Sequence, residues 1–434
     1  MKLKNSIPLF FLILIAIISM FYVPGPTIGL TEEINAGDTA WMLAASALVL
    51  LMTPGLAYFY GGMVHKKNII STMLQSTICM AIVSIIWVVF GFSLAFGESI
   101  GGIFGNPFTF FMLKGVMNAS HGTIPKVLFA FFQLKFAIIT PALITGAFAE
   151  RIKFTSYVLF ICLFSIFIYA PLAHMTWHPD GLLYKSGVLD FAGGTVVHMS
   201  AGLSALASAI YLKSRNNSSH VETPANVPFV ILGTGLLWFG WFGFNAGSAL
   251  GANELASTAF ATTNTASASA ALAWIFFDSF KGKKPSALGT CIGAVVGLVA
   301  ITPAAGYVSI PHSIVIGVVA SLISNIMVDF GKNKSLDDTL DVFPCHGIGG
   351  MVGMLLTGIF ASKDVNPSIE HQGLFFGEVH LFTTHVVSLA ILSVFIFGIS
   401  MLLLRITDWI TPLRVTVGEQ REGLDLSQHG ESYV

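Results

Sequence analysis

Two stretches of this chain combine a carboxylate, a histidine and several glycines, a set of residues that can move a proton between buried sites. In the first stretch His198 follows Asp190 by eight residues, and in the second His346 follows Asp341 by five. A single buried histidine is more often a satisfied core residue. Two matched stretches favour a pathway, because an imidazole inside a membrane is costly and histidine exchanges protons near neutral pH.

Both stretches require helices that approach each other closely. Gly193, Gly194 and Gly202 accompany the first histidine, and Gly347 and Gly350 follow the second. Small residues allow such an approach in lipid, where packing rather than the hydrophobic effect drives helix association. We therefore expect these two helices, one from each half of the chain, to form the centre of the protein.

The composition defines the class of protein. Of the 434 residues, 54% are hydrophobic and 10% are charged, and the mean hydropathy is +0.80; a soluble domain carries about 25% charged residues. We predict an all-α, multi-pass membrane protein. The net charge of −1 argues against nucleic-acid binding. The four cysteines lie in apolar runs, and Pro179 breaks the helix that a His174–His178 metal pair would need, so no disulfide, metal or cofactor is expected.

The first residues have the pattern of a secretory signal peptide. Lys2 and Lys4 precede an apolar run that extends from Ile7 to Val23. The run is slightly long and no A-x-A cleavage site follows it, so the pattern favours a cleaved signal peptide at 1–25 over a retained helix. The remaining chain divides into a membrane domain at 26–407 and a cytoplasmic regulatory tail at 408–434.

Eleven further segments are long enough to cross a bilayer, which takes about 20 apolar residues. They are Asp38–Gly61, Ile69–Phe96, Thr123–Ala149, Phe154–His174, Phe191–Lys213, Ala225–Leu250, Leu255–Phe280, Pro285–Thr302, Ser313–Phe330, Phe343–Ala361 and Val379–Arg405.

Lys and Arg fall in alternate loops between these spans. Fourteen lie in one set of loops together with the tail, and three lie in the other set. Cytoplasmic loops carry an excess of Lys and Arg, so the mature N-terminus is predicted outside and the C-terminus in the cytoplasm. The strict alternation also supports eleven spans.

The two halves of the chain echo each other. The first span carries Pro54-Gly55 and an aromatic–glycine run to Gly62, the sixth carries a similar run from Trp238 to Gly247, and the fifth and tenth carry the acid–histidine stretches. Five spans per half is an odd number, so the halves must have opposite topology. This predicts an inverted 5+5 repeat plus a final helix, with the substrate site near the midplane.

Six motifs resemble the ammonium transporter family, the Amt branch of the ammonium transporter/Rhesus superfamily. They are GDTAWMLAASALVLLMTPGLAYFYGGMV, FFQLKFAIITPALITGAFAERIKF, LDFAGGTVVHMSAGLSALA, GWFGFNAGSA, DVFPCHGIGGMVGMLLTGIF and REGLDLSQHGES. They span nearly all of the mature chain. The resemblance implies an eleven-helix fold, a homotrimer with one pore per protomer, and ammonium uptake across the cell (plasma or inner) membrane.

The resemblance also implies roles for residues of the external site. Trp177, Phe136 and Ser248 correspond to the site that recruits ammonium, and Phe136 and Phe244 correspond to a stacked phenylalanine gate. Asp190 corresponds to an acid that orients the site. Its place before a helix fits an N-cap as well, and direct coordination of the ion is the alternative.

His198 and His346 correspond to the family's twin pore histidines. Aromatic rings attract a small cation by roughly 0.5–2 kcal/mol, whereas an apolar pore below them excludes a bare charge. Ammonium can lose a proton and cross as ammonia, but potassium cannot. If the histidines pass the proton separately, transport is electrogenic. The alternatives are a Rhesus-type electroneutral gas channel and an ammonium sensor, and no constellation of residues predicts an enzyme.

Two segments depart from the family pattern. His178-Pro179-Asp180 replaces a loop expected to be richer in glycine, and Lys135 directly precedes Phe136. Adjacent positions on a helix differ by about 100°, so Lys135 is predicted to face away from the pore and to extend towards the membrane surface.

The tail motif REGLDLSQHGE also matches the family. By resemblance the tail packs under the pores, couples protomers and meets a PII-type signal protein. A disordered tail is the alternative.

Overall fold

The computed structural model describes residues 7–23, 33–215, 223–333 and 336–433. Its helices are α1 Ile7–Met20, α2 Ala36–Met63, α3 Lys66–Phe96, α4 Lys126–Phe148, α5 Phe154–Lys185, α6 Gly194–Leu212, α7 Val227–Gly247, α8 Glu254–Phe280, α9 Ala287–Ile301, α10 Ile310–Asn333, α11 Phe343–Phe360, α12 His380–Ile410 and α13 Val417–Glu422. Four two-residue strands form two antiparallel hairpins, β1 Ser99–Ile100 with β2 Phe104–Gly105, and β3 Ser120–His121 with β4 Ile124–Pro125.

Helices α2 to α12 coincide with the eleven predicted spans. Their ends lie within three residues of the predicted ends, with two exceptions. Helix α5 is interrupted after Trp177 and ends with a short turn at Leu182–Lys185, eleven residues beyond the predicted end at His174, and α12 continues five residues beyond Arg405 to Ile410. Among the described residues, nine helices are long and apolar enough to cross a membrane. Helix α9 is short at 15 residues, and α8 is rich in Ser, Thr and Ala. The multi-pass α-helical class is confirmed, and the count of eleven crossings stays a prediction.

Helix α1 has 14 residues, all apolar except Ser19, and most of those with a described side chain are exposed. Both lysines of the predicted signal peptide, Lys2 and Lys4, and the segment 24–32 lie outside the described residues. The prediction of a cleaved signal at 1–25 is therefore untested.

The predicted basic loops meet at one end of the bundle. Arg151 donates to the Lys213 carbonyl at 2.8 Å and pairs with Asp337 at 3.2 Å. Lys67 donates to the Arg421 carbonyl at 2.9 Å. The contacts of Arg151 join three of the alternate loops, and the contact of Lys67 joins a fourth to the tail, in agreement with the charge pattern. We call this the basic end, and the opposite one, which carries Trp177, the tryptophan end.

Helices α2 and α7 begin the two halves and run antiparallel in direct backbone contact. A Cβ added to Gly62 would lie 2.6 Å from the Asn226 carbonyl oxygen, and one added to Gly243 would lie 2.8 Å from the Ala45 carbonyl oxygen. Residue numbers therefore rise along α2 while they fall along α7. This opposite direction is the one expected of inverted repeats.

Helices α6 and α11 carry the two histidines and also cross antiparallel. A Cβ on Gly202 would lie 2.1 Å from the backbone nitrogen of Gly347, and one on Gly350 would lie 2.9 Å from the Gly194 carbonyl oxygen. No larger side chain fits at Gly202 without separating the helices. The glycine-rich stretches thus bring the two helices together, as predicted.

Candidate functional site

The two histidines lie side by side inside the protein. His198 and His346 are 1% and 3% exposed, and their Nδ1 atoms are 3.4 Å apart. Each lies on a π-helical turn that opens its helix, Gly194–Met199 and Phe343–Ile348. Such turns in helices are frequently found at functional sites. Because two Nδ1–H groups would repel, one imidazole donates and the other accepts, so the pair shares one proton between the facing nitrogens.

A tryptophan forms the wall beside His198. The ring of Trp241 stacks on His198 with centroids 5.3 Å apart and planes at 19°. Its Nε1–H donates to the hydroxyl of Thr302 at 2.9 Å, which fixes the ring. Nε2 of His198 is buried and has no hydrogen-bond partner among the described residues. Trp241 belongs to the aromatic run of the sixth span, and that run did not by itself indicate a contact with His198.

Aromatic rings continue from the histidines towards the tryptophan end. Phe244 lies 6.1 Å from His198, and Phe136 lies 4.2 Å from Phe244, measured between ring centroids. Trp177 meets Phe136 edge-on at 5.9 Å. Phe136 and Phe244 are 1% and 0% exposed, whereas Trp177 is half-buried. The rings form one series from the surface to the histidine pair, closed by the two phenylalanines.

Ser248 lies one turn beyond Phe244, at the end of α7, and is half-buried. Its hydroxyl donates to the Phe244 carbonyl oxygen at 2.8 Å. The hydroxyl proton is therefore used, and the oxygen retains lone pairs that can accept hydrogen bonds from a cation with N–H groups.

Asp190 is the cap of the first histidine turn. Its Oδ1 accepts from the N–H groups of Gly193 and Gly194 at 2.8 and 2.6 Å, and its Oδ2 accepts from the N–H and hydroxyl of Thr195 at 2.8 and 2.5 Å. The backbone carbonyl of Asp190 accepts from the Trp177 indole at 3.0 Å. Four donors occupy the carboxylate, which supports the cap and leaves little capacity for direct coordination.

The acid that matches Asp190 in the second half is Asp338, not Asp341. Asp338 precedes His346 by eight residues, the same spacing as Asp190 and His198. Its Oδ2 accepts from the Phe343 N–H, five residues on, at 2.7 Å. Asp341 instead occupies a positive-φ position, at 54°. Equal spacing to the two histidines was the signal in the sequence that could have identified Asp338.

The Asp338 carboxyl is buried at the basic end, ahead of α11, and its Oδ1 has no hydrogen-bond partner among the described residues. Burial raises the pKa of Asp338 to about 6, because the charged form loses its hydration.

The two departures from the family pattern are accommodated away from the ring series. His178 stacks on His174 at 4.4 Å and accepts from the Asp180 N–H at 3.0 Å. Asp180 pairs with Lys185 at 2.7 Å on the surface. The ammonium group of Lys135 lies 5.7 Å from the ring of Phe131, one turn back along α4. Among the described residues, neither departure makes a hydrogen bond, an ion pair or a ring contact with Phe136 or Phe244.

The tail is folded against the basic end. Oδ1 and Oδ2 of Asp425 accept from the N–H groups of Ser71 and Ile70 at 2.7 and 3.1 Å, which caps the start of α3. The Leu424 N–H donates to the Asn68 side chain at 2.8 Å. The described tail thus has a defined docking site on the first basic loop.

These features define a class. The chain is a multi-pass α-helical membrane protein in which a series of aromatic rings leads from the half-buried Trp177 to a buried histidine pair. Among the described residues no group of three His, Cys, Asp or Glu side chains is placed to hold a metal ion.

Comparison with known proteins gives the family. The model of the Ammonium Transporter Family matches residues 40–434. An ammonium transporter of Aquifex aeolicus is 46% identical over 405 residues, which cover 92% of this chain and 93% of that protein. The crystal structure of Saccharomyces cerevisiae Mep2 superposes with a TM-score of 0.84 at 34% identity, covering 89% of this chain and 88% of that one. The solved structure of a sensor Amt protein superposes with a TM-score of 0.83 at 30% identity, covering 91% and 98%.

The chain belongs to the ammonium transporter family, and it is an integral membrane transporter of ammonium rather than an enzyme. The resemblance read from the six motifs is confirmed.

Proposed function

We propose that this protein recruits ammonium at Trp177, Phe136 and Ser248, removes a proton, and conducts ammonia past His198 and His346 while the proton crosses separately. The single observation that carries the proposal is the ring series from Trp177 to the histidine pair, in which successive centroids lie 5.9, 4.2, 6.1 and 5.4 Å apart.

Recruitment rests on two kinds of contact. The half-buried Trp177 and the ring of Phe136 below it offer aromatic faces to a cation, an attraction of roughly 0.5–2 kcal/mol that grows as the site dries. The Ser248 oxygen accepts an N–H hydrogen bond because its own proton is donated to Phe244. Asp190 orients the site, through its cap and through the Trp177 indole.

Selectivity follows from the buried phenylalanine pair. Phe136 and Phe244 leave no room for a hydrated ion at a centroid distance of 4.2 Å, and a bare cation in apolar surroundings is very unfavourable. Ammonium passes this point only as ammonia, and potassium has no proton to release. The shared proton between the facing Nδ1 atoms gives the released proton a relay, which makes transport electrogenic.

The remaining features of the proposal concern assembly and regulation. The protein forms homotrimers in the cell membrane, with the tryptophan end outside and the basic end in the cytoplasm. Asn264 is exposed near the middle of α8, and a polar side chain facing lipid is costly, so a neighbouring copy is expected to cover it. The tail at 408–434, docked through Asp425, regulates the pores and offers a surface to a PII-type signal protein.

Current across liposomes that contain the purified protein tests the proposal. We expect a current after a jump in ammonium and none after an equal jump in potassium. His198→Ala should reduce the ammonium current at least tenfold, because the proton relay is broken. Internal alkalinisation without current would show a neutral ammonia channel instead, and an unchanged current in the His198→Ala variant would refute the relay.

A sensor is the second candidate, favoured by the likeness to the solved sensor Amt protein. It predicts ammonium binding with neither current nor alkalinisation. The same liposome experiment therefore separates the two functions.

A further inference from the structure

A small pocket lies on the other side of His346 from the phenylalanine pair. Its wall includes Phe59, Val295, Leu340, Met63, Cys345 and His346, and its cavity volume is about 10 Å³, which is room for one occupant the size of a water molecule. Phe59 and Met63 lie at the end of α2 that faces the basic loops, whereas Trp41 near the start of α2 contacts Ala246 beside Ser248. The pocket is thus the basic-end continuation of the proposed path.

The sulfur and nitrogen atoms in the wall of this pocket are of the kind that binds soft metal ions. Met63 supplies a thioether, Cys345 a thiol and His346 an imidazole, and Nδ1 of that imidazole is already directed at His198. The remaining hydroxyl in the wall belongs to Tyr60 and donates to the Leu143 carbonyl at 2.9 Å. The other named side chains are apolar. The pocket therefore offers soft donors and one nitrogen.

Thiolate, thioether and imidazole are the ligands that soft cations such as Cu(I) prefer, while carboxylates and carbonyls suit hard cations. Cys345 lies in an apolar run of the sequence, and the structure places it in the wall of this pocket together with His346. Cys345 and His346 are adjacent in sequence on the π-helical turn, and Met63 lines the same pocket from the end of α2.

We propose that Met63, Cys345 and His346 form a binding site for a soft monovalent d10 cation, Cu(I) or its redox-inert probe Ag(I), and that such an ion blocks the path. Binding breaks the S–H bond of Cys345, forms a metal–sulfur bond and releases one proton to the solvent. The Nε2 lone pair of His346 and the thioether of Met63 complete the site. No electron is transferred.

The inference that a bound ion blocks transport rests on the proposed function, whereas the inference that the ion binds does not. A bound cation would occupy the pocket next to the histidine pair, and its bond to Nε2 would leave His346 without a free lone pair to accept the relayed proton. Ammonia and the relayed proton would both meet the obstacle.

Silver binding to the full-length protein tests the site directly. Protein in detergent and chloride-free buffer is incubated with silver nitrate, freed of excess ion by gel filtration, and analysed by mass spectrometry for silver per protomer. We expect one tightly held ion in the wild type, at least tenfold weaker binding in Cys345→Ser, and weaker binding in Met63→Leu. Cys291→Ser is the matched control, because Cys291 is buried on α9 and does not line the pocket, and it should bind as the wild type does.

The same samples are then reconstituted, and each is compared with its own silver-free current. Excess silver is removed before ammonium is added, since ammonia itself complexes Ag(I). We expect silver to reduce the wild-type and Cys291→Ser currents at least fivefold and to leave the Cys345→Ser and Met63→Leu currents less affected. Equal silver binding in wild type and Cys345→Ser, or equal block in both, would overturn the inference. Absence of any ammonium current without silver would count against the proposed function, and the binding measurement would still decide the site.

Discussion

Replacement of Gly202 by Ala should disrupt the histidine pair without touching either histidine. The added Cβ would lie 2.1 Å from the nitrogen and 2.2 Å from the Cα of Gly347. Both are backbone atoms, so no side-chain rotation relieves the contact. Ordinary contacts of a Cβ begin at 3.4 Å, and α6 and α11 must therefore separate locally by about 1.2 Å or more.

That separation is large compared with the tolerance of the histidine pair. The Nδ1 atoms are already 3.4 Å apart, and a further 1 Å would end the hydrogen bond. Overpacking of this kind costs about 1–3 kcal/mol of stability. We expect Gly202→Ala to lower the ammonium current in liposomes at least tenfold and to lower the thermal stability in detergent.

Two other glycines provide controls. A Cβ on Gly347 would first meet the Phe343 side chain at 2.8 Å, which can rotate, and one on Gly398 of α12 would meet nothing within 4 Å. The loss of current should follow the order Gly202→Ala, then Gly347→Ala, then Gly398→Ala, with the last within twofold of wild type. A Gly202→Ala protein with normal current and normal stability would refute the argument that close backbone packing builds the pair.

The two capping acids give further predictions. Asp190→Ala leaves four buried donors without their acceptor and should lower the free energy of unfolding by about 2–4 kcal/mol. Asp190→Asn should also be less stable than wild type, because its NH₂ group would face the Thr195 donors. An Asn variant as stable as wild type would contradict the capping role of Asp190. For Asp338, burial raises the pKa from 3.8 to about 6, so the favourable contribution of its protonated form is complete below pH 3.8 and is lost as the pH rises through 6, by about 3 kcal/mol in total. Asp338→Asn keeps an acceptor for the Phe343 N–H and cannot ionise. As the pH rises from 5 to 7.5, the melting temperature of the wild type should therefore fall relative to that of Asp338→Asn. A constant difference between the two melting temperatures across that range would rule out titration of Asp338.

The sequence by itself determined where the long helices lie, because each membrane helix needs its own run of apolar residues and lipid imposes this locally. It also determined which loops share an end, since Lys and Arg mark alternate loops, and contacts such as Arg151 with Lys213 and Asp337 agree with that grouping. The resemblance to the ammonium transporter family was available from long motifs that follow one another in order. Apart from Trp177, the residues proposed for the path lie within those motifs.

The tertiary structure decided what local patterns cannot encode. His198 and His346 are 148 positions apart, and they meet only because Gly202 rests on the backbone of Gly347. From the sequence, Asp341 was expected to correspond to Asp190 because it is the nearer acid to His346. In the structure the turn before α11 places Asp338, not Asp341, in position to accept from the Phe343 N–H. The soft-donor pocket likewise joins the end of α2 to the start of α11. Composition along the chain selects the helices, but contacts between distant residues depend on how the backbones fit together, and this is set by the whole packed bundle.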